Sequence, residues 1–178
     1  MSINLHRSNL IIFCSILFFS CSNRGIKNDN IDNFISKYED VKFDQLKDIS
    51  ILQRDRYLGD IIYAIDRCDE NNPPYFVTFS PRAQAITTID KSRLEAAGVK
   101  DYLGKDETTS AINTIRRYGF CLLAVDSIGN VYINPFYYNE PPYLLRLKTS
   151  TGDSILKRGY VYELYKDKWF LNTTRREN

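Results

Sequence analysis

Histidine is the residue whose distribution says most about the chemistry open to this chain. The sequence holds one, His6, within the first twenty residues, and none follows it. Imidazole is the usual base of Ser-His-Asp and Cys-His catalysis, the usual proton shuttle near neutral pH and a frequent zinc ligand. Residues 21–178 are therefore poorly equipped for these reactions, and we expect neither a metal nor a cofactor.

Carboxylate pairs offer another route to catalysis. Glycoside hydrolysis needs two carboxyl groups roughly 5 to 10 Å apart across a cleft, and the visible candidates are Asp69 with Glu70 and Glu163 with Asp167. Both pairs stand among turn-forming residues, where charged side chains are simply solvated. No Gly-x-Ser-x-Gly, Ser-x-x-Lys or glycine-rich phosphate motif accompanies them. The sequence thus favours a protein that is not an enzyme, with a glycan-acting enzyme as a minor alternative.

The segment from residue 132 to residue 143 (YINPFYYNEPPY) is rich in aromatic residues and proline. Tyrosine rings combine flat apolar faces with polar tips, which suits contact with sugar rings or with a partner peptide. The alternative is that these rings alternate on a sheet and fill a core, as aromatic side chains in strands commonly do. The candidate contact residues are Tyr132, Phe136, Tyr137, Tyr138 and Tyr143.

The first twenty residues differ from the rest of the chain. His6 and Arg7 form a mildly basic start, residues 10–19 (LIIFCSILFF) are almost wholly apolar, and small and polar residues follow. This order is typical of a secretory signal peptide. A permanent membrane anchor is the weaker alternative, because the apolar run is half of the roughly 20 residues that a helix needs to cross a bilayer.

The end of this signal resembles the lipobox of bacterial lipoproteins. Residues 18–21 read FFSC, a small residue followed by cysteine, with Phe18 at a position that is usually aliphatic, as in the looser lipoboxes of Bacteroides-like bacteria. The resemblance covers the first 21 residues only and implies cleavage before Cys21 and lipid on its thiol. The alternative is an ordinary signal peptide followed by an incidental cysteine.

The resemblance also implies a location. Two or more acyl chains anchor a protein stably, at about 0.8 kcal/mol per buried CH₂, so the membrane would be bound through lipid on Cys21 alone. Ser22 after the cysteine resembles the pattern sorted to the outer membrane in enteric bacteria, and residues 22–27 (SNRGIK) lack the acidic cluster usual for surface export. We therefore expect a lipid-anchored protein of the outer membrane that faces the periplasm.

Two further modifications would suit such a compartment. Cys68 and Cys121 are the cysteines left after Cys21, and an oxidising compartment would permit a disulfide between them, although two separate thiols are the alternative. The tripeptide Asp-Ser-Ile occurs twice, and it resembles the O-glycosylation acceptor of Bacteroides-like bacteria. Ser127 and Ser154 are the candidate acceptors, and ordinary turn chemistry explains the same residues.

The organisation of the chain predicts three parts. Residues 1–20 are the signal peptide, residues 21–30 the lipidated cysteine with a polar tether, and residues 31–178 a single domain. Helical spacing predicts a helix over 31–40, and residues 46–52 could extend it or form a second helix, whereas 58–65 fit either a helix or a buried strand. Short helices are predicted over 91–97 and between Asp106 and Gly119. Alternation and turn residues predict strands over 75–80, 83–89, 120–125, 131–134, 143–148, 160–165 and 169–171. The predicted fold class is α+β, with N-terminal helices followed by a mainly antiparallel sheet.

The charge balance limits the partners. Without residues 1–20 the chain carries 23 basic and 22 acidic side chains, so it has no electrostatic footprint for nucleic acid. The interpretation we prefer is a membrane-anchored lipoprotein with a non-enzymatic binding or assembly role at the cell envelope and a protein or glycan as partner. An immunity-type lipoprotein that neutralises a toxin is the alternative, although no particular residue specifies that role.

Overall fold

The computed structural model describes residues 28–68, 72–149 and 152–174. The chain divides into two compact units, residues 1–39 and 40–178. The first unit contributes helix α1 (Asn28–Tyr38), in which the rings of Phe34 and Tyr38 lie 4.6 Å apart. Cys21 and the predicted signal peptide lie outside the described residues, as do Asp69 and Glu70.

The second unit is built on one antiparallel sheet of ten strands, whose order is β4-β3-β2-β1-β5-β6-β7-β10-β9-β8. The strands are β1 (Ile49–Tyr57), β2 (Asp60–Arg67), β3 (Tyr75–Ser80), β4 (Ala85–Asp90), β5 (Leu122–Val125), β6 (Val131–Asn134), β7 (Leu144–Arg146), β8 (Ser154–Lys157), β9 (Tyr160–Lys166) and β10 (Trp169–Asn172). A 3₁₀ turn (Asp44–Leu46) precedes the sheet, and helices α2 (Ser92–Ala96) and α3 (Lys105–Tyr118) connect β4 to β5.

The predicted fold class is wrong, because the molecule is largely β and, after the helix predicted over 31–40 (α1), its front half consists mainly of strands. Residues 46–52 and 58–65 lie mostly in β1 and β2, which form a hairpin through the two-residue turn Leu58-Gly59. Both turn residues have positive φ, 49° and 91°, as a tight antiparallel hairpin requires. A few isoleucines at helical spacing fit a strand equally well, and pairing with neighbouring strands decided between the two.

Helix α3 covers one face of the sheet. Ile112 and Ile115 are fully buried on the helix, as are Ile51, Ile65 and Val77 on the strands. The phenol oxygen of Tyr75 lies 2.9 Å from the hydroxyl oxygen of Thr108 in α3. The predicted end of this helix at Gly119 is confirmed, and the residue has the left-handed conformation (φ 70°) typical of a helix C-terminus. Its start differs slightly, because Glu107 rather than Asp106 accepts the exposed backbone N–H at Gly104.

The other face of the sheet curls around a second core. Eight buried residues form this core: Cys68, Leu122, Ala124, Tyr132, Leu145, Leu147, Tyr162 and Phe170. Curvature brings strands together that are distant in the sheet order, since the guanidinium of Arg158, after β8, lies 5.5 Å from the ring of Tyr132 in β6. The core ends beside β1 and β2, whose residues on this face remain accessible and form the floor of a groove.

Candidate ligand-binding groove

The groove has a volume of about 760 Å³. It is lined by residues of strands β1, β2, β3, β5 and β9, of helix α2, of the loop between β6 and β7 and of the turn between β8 and β9. It exceeds two other depressions beside α3, of about 480 and 460 Å³, and it falls in the range usual for small-molecule sites. Its floor follows from strand alternation, because Ser50 pairs with Asp66 and Leu52 with Ala64 on the same face. The sheet thus presents a mixed polar and apolar floor.

Asp66 is the most unusual residue of that floor. Its Oδ1 is buried and has no hydrogen-bond partner among the described residues. Burial raises the pKa of its carboxyl above the ordinary value of 3.8, although a hydrogen bond from Ser50 and the charge of Arg158 oppose the shift. A desolvated acceptor of this kind destabilises the fold unless something donates to it.

Arg158 faces Asp66 from the tight turn between β8 and β9. Arg158 and Gly159 both have positive φ, 53° and 79°, which makes this a two-residue hairpin turn. Asparagine and glycine are the usual first residues there, and a long L side chain is strained. Arg158 as a whole is exposed, but its guanidinium reaches the second core, and its Nη1 lies 3.9 Å from the Sγ of Cys68.

The loop of residues 135–143, between β6 and β7, is rich in proline and forms another wall of the groove. Three hydrogen bonds hold it in place. Arg54 is the extra residue of a β-bulge in β1, and its guanidinium donates to Asn139 Oδ1 at 2.7 Å. The Asn139 backbone N–H donates to the carbonyl of Gln53 at 2.9 Å. At the far end, Asn172 donates from Nδ2 to the carbonyl of Pro142 at 2.8 Å. The loop therefore forms a rigid wall.

An aromatic pair completes the lining. Phe76 of β3 lies on the groove face, and the guanidinium of Arg93 sits 4.9 Å from the centre of its ring. Tyr160 lines the opposite side, beside Arg158, and packs against the second core. Flat apolar faces and fixed polar groups thus alternate around the groove.

The aromatic residues predicted as contacts lie elsewhere. None of the five lines the groove. Tyr132 is 1% exposed and belongs to the second core, whereas Tyr138 is 54% exposed on the loop. Phe136 lies 5.5 Å from Tyr143 and 6.3 Å from Tyr137, ring centre to ring centre, so these three pack on one another. The segment contributes its residues 139–142 to the groove instead.

The two cysteines considered for a bridge, Cys68 and Cys121, are not joined by a disulfide. The backbone N–H of Cys68 donates to the carbonyl of Asp48, and the carbonyl of Cys121 accepts from Gln53. Those partners lie five residues apart along one chain segment, so the two cysteines are separated by about 17 Å. A disulfide needs alpha carbons within about 7 Å, and a bridge between Cys68 and Cys121 does not fit this fold.

The candidate glycosylation sites lie at the surface. Ser127 is exposed in the turn between β5 and β6, and Ser154 is exposed at the start of β8. The two differ in their acidic residue. Asp126 is buried and accepts hydrogen bonds from Asn130 and Tyr132, whereas Asp153 is exposed. O-glycosylation stays a prediction, and of the two sites Ser154 has the more accessible tripeptide.

The second carboxylate pair stays away from the groove. Glu163 is exposed on β9, where it pairs in register with Ser154 of β8. Asp167 lies in the turn before β10 with a φ of 52°. Neither residue lines the groove, so the carboxylates that do, Asp55, Asp66 and Glu140, were not the ones singled out from the sequence.

Sequence reasoning missed Asp66 and Arg158, although one signal was present. In the segment DIIYAIDR, Asp66 has the same strand parity as Ile62 and Ala64, so a strand interpretation would have marked a carboxylate on a partly apolar face. The sequence around Arg158 offers no comparable signal. It shows only an Arg-Gly pair between two short segments that resemble strands. Only the curvature of the sheet brings the two together.

Comparison of this chain with models of known protein families, with curated proteins and with solved structures found no match. No helix in the described ranges is long and apolar enough to cross a membrane. Over the same ranges, histidine, cysteine and carboxylate side chains form no group of three or more that could hold a metal ion. The geometry of the groove therefore carries the functional assignment.

Proposed function

We propose that this protein is a lipid-anchored component of the cell envelope with a non-enzymatic binding role, and that the groove holds its ligand. The observation that carries the proposal is the buried, unpartnered Oδ1 of Asp66 in a groove that Arg158 also lines. An unsatisfied buried acceptor costs about 1–3 kcal/mol. Such features are typical of sites where a ligand supplies the missing contacts.

The anchor follows from the signal and lipobox of the first 21 residues. Lipid on Cys21 would hold the protein at the outer membrane, facing the periplasm, and the polar residues after it would separate the folded unit from the bilayer. The folded unit would then need no membrane contact of its own.

Replacing Cys21 with serine tests the anchor. We expect the wild-type protein in the membrane fraction with incorporated radiolabelled fatty acid. The Cys21→Ser protein should lack the label and leave the membrane fraction, because no acyl chain remains to bind the bilayer. Cys14→Ser, within the signal, is the matched control and should keep both properties. A Cys21→Ser protein that stays in the membrane fraction would show that the anchor is something else.

Replacing Arg158 with asparagine tests the groove. We expect native mass spectrometry of wild-type protein, purified from its own envelope, to show a fraction with a bound small molecule. The Arg158→Asn protein should lack that adduct, because its side chain cannot reach the ligand. Its folding should be unimpaired, since asparagine tolerates positive φ better than arginine does.

Arg82→Asn, at an exposed position in the turn between β3 and β4, is the matched control and should retain the adduct. Wild-type protein without any adduct, or an adduct that survives Arg158→Asn, would contradict the assignment of the groove as the ligand site.

A further inference from the structure

The charges around the groove indicate which class of ligand it accepts. This inference rests on the proposed binding role. Three guanidinium groups and three carboxylates line it: Arg54, Arg93, Arg158, Asp55, Asp66 and Glu140. An anionic ligand would meet the desolvated carboxylate of Asp66, and a cationic ligand would meet Arg158 beside it. Charged ligands of either sign are therefore disfavoured, and a neutral ligand with many hydrogen-bonding groups fits best.

The floor of the groove argues against an extended peptide. Peptides that bind to sheets usually add a strand to a free edge, where backbone groups of the sheet are unpaired. The floor strands β1, β2 and β5 lie in the interior of the sheet, and each pairs on both sides. Their backbone groups serve neighbouring strands, so the floor offers side chains alone. A ligand recognised through its own side groups is favoured over one recognised through a peptide backbone.

The side chains that remain are those that recognise hydroxyl groups and sugar faces. Asp66 offers an unpartnered acceptor, and Arg158 offers planar donors next to it. Tyr160 and Phe76 supply rings on opposite sides, and Pro141 and Pro142 supply apolar surface on the loop. We propose that the groove binds a neutral oligosaccharide, with ring hydroxyls on Asp66 and Arg158 and the C–H face of a sugar on Tyr160.

Calorimetric titration of the intact folded protein with four neutral tetrasaccharides tests this proposal. The probes are maltotetraose, cellotetraose, mannotetraose and chitotetraose, and tetragalacturonate and tetra-alanine serve as the acidic and peptide comparisons. We expect at least one neutral sugar to bind. Asp66→Asn and Tyr160→Ala should each weaken that sugar about tenfold or more, because asparagine replaces a charged acceptor with a weaker neutral one and alanine removes the ring.

Matched controls are Asp153→Asn and Tyr57→Ala, which change exposed residues outside the groove lining and should leave the affinity unchanged. The proposal is overturned if no neutral sugar binds, if tetragalacturonate or tetra-alanine binds more tightly, or if the groove variants bind like wild type. An adduct that depends on Arg158 but is not a sugar would overturn the ligand class and leave the binding role intact. Absence of both adduct and sugar binding would overturn both.

Discussion

Tyr132→Ala is expected to lower the free energy of unfolding by about 4 kcal/mol. The side chain is almost completely buried, and its ring lies 6.4 Å from that of Tyr162 in the second core. Removing the ring leaves a cavity that β6 and β9 cannot close without breaking the sheet. Urea denaturation followed by circular dichroism measures the loss.

Two further variants serve as comparisons. One keeps the ring at position 132 and removes its hydroxyl, and the other truncates an exposed tyrosine. Tyr132→Phe should cost about 1 kcal/mol, because the phenol donates to the buried Asp126 carboxylate at 3.1 Å. Tyr138→Ala should change stability by less than about 0.5 kcal/mol, since that side chain is mostly exposed. A Tyr132→Ala protein as stable as Tyr138→Ala would mean that Tyr132 is not a core residue.

Asp66→Asn is expected to raise the free energy of unfolding at pH 7 by about 1–2 kcal/mol while weakening the proposed ligand contact. Burial in the folded protein desolvates the wild-type carboxylate and disfavours its charged form, whereas in the unfolded chain it is hydrated. Asparagine has the same shape without the charge. Guanidinium or urea titration at neutral pH measures the gain.

The pH dependence gives a sharper signature of the same residue. Because the folded protein raises the pKa of Asp66 above 3.8, it binds this proton more tightly than the unfolded chain does. The favourable contribution is therefore complete below pH 3.8 and is lost as pH rises through the folded pKa. The free energy of unfolding of Asp66→Asn should therefore exceed that of wild type by a growing amount as pH rises from 3.8 through the folded pKa. Above the folded pKa the difference should stay constant.

Asp153→Asn is the matched control, because that carboxylate is exposed. Its stability difference from wild type should stay flat over the same pH range. A flat difference for Asp66→Asn as well would mean that the groove floor does not desolvate its carboxylate.

Local patterns predicted the sheet where strands were short and bounded by clear turns. The hairpin of β5 and β6 and the strands β3, β9 and β10 lie within a residue or two of the expected ranges. Turn residues such as Gly129 and Asp167, both at positive φ, mark these boundaries in the sequence itself. The hairpin of β1 and β2 was not predicted, because isoleucine-rich runs fit helical and strand periodicity alike. Only pairing with β3 and β5 selects the strand.

The groove was beyond the reach of local patterns for a different reason. The composition of residues 132–143 predicted a contact site there. The aromatic rings of this segment pack on one another and on the second core, and its residues 139–142 line the groove. Asp66 and Arg158 are ordinary residues in sequence. Their proximity depends on how far five intervening strands curl, which is a property of the whole sheet.

The tight turn that carries Arg158 also determines the stage of folding at which the groove forms. Arg158 reaches Cys68 across 90 residues of chain, so the groove is incomplete until the hairpin of β8 and β9 has closed the curl. A chain whose last strands are still unfolded would therefore be unable to bind the proposed ligand. Once the hairpin is in place, ligand bridging β2 and the turn would stabilise the closed sheet by mass action. Occupancy would then report that the protein has finished folding, and loss of ligand would accompany the first opening of the sheet.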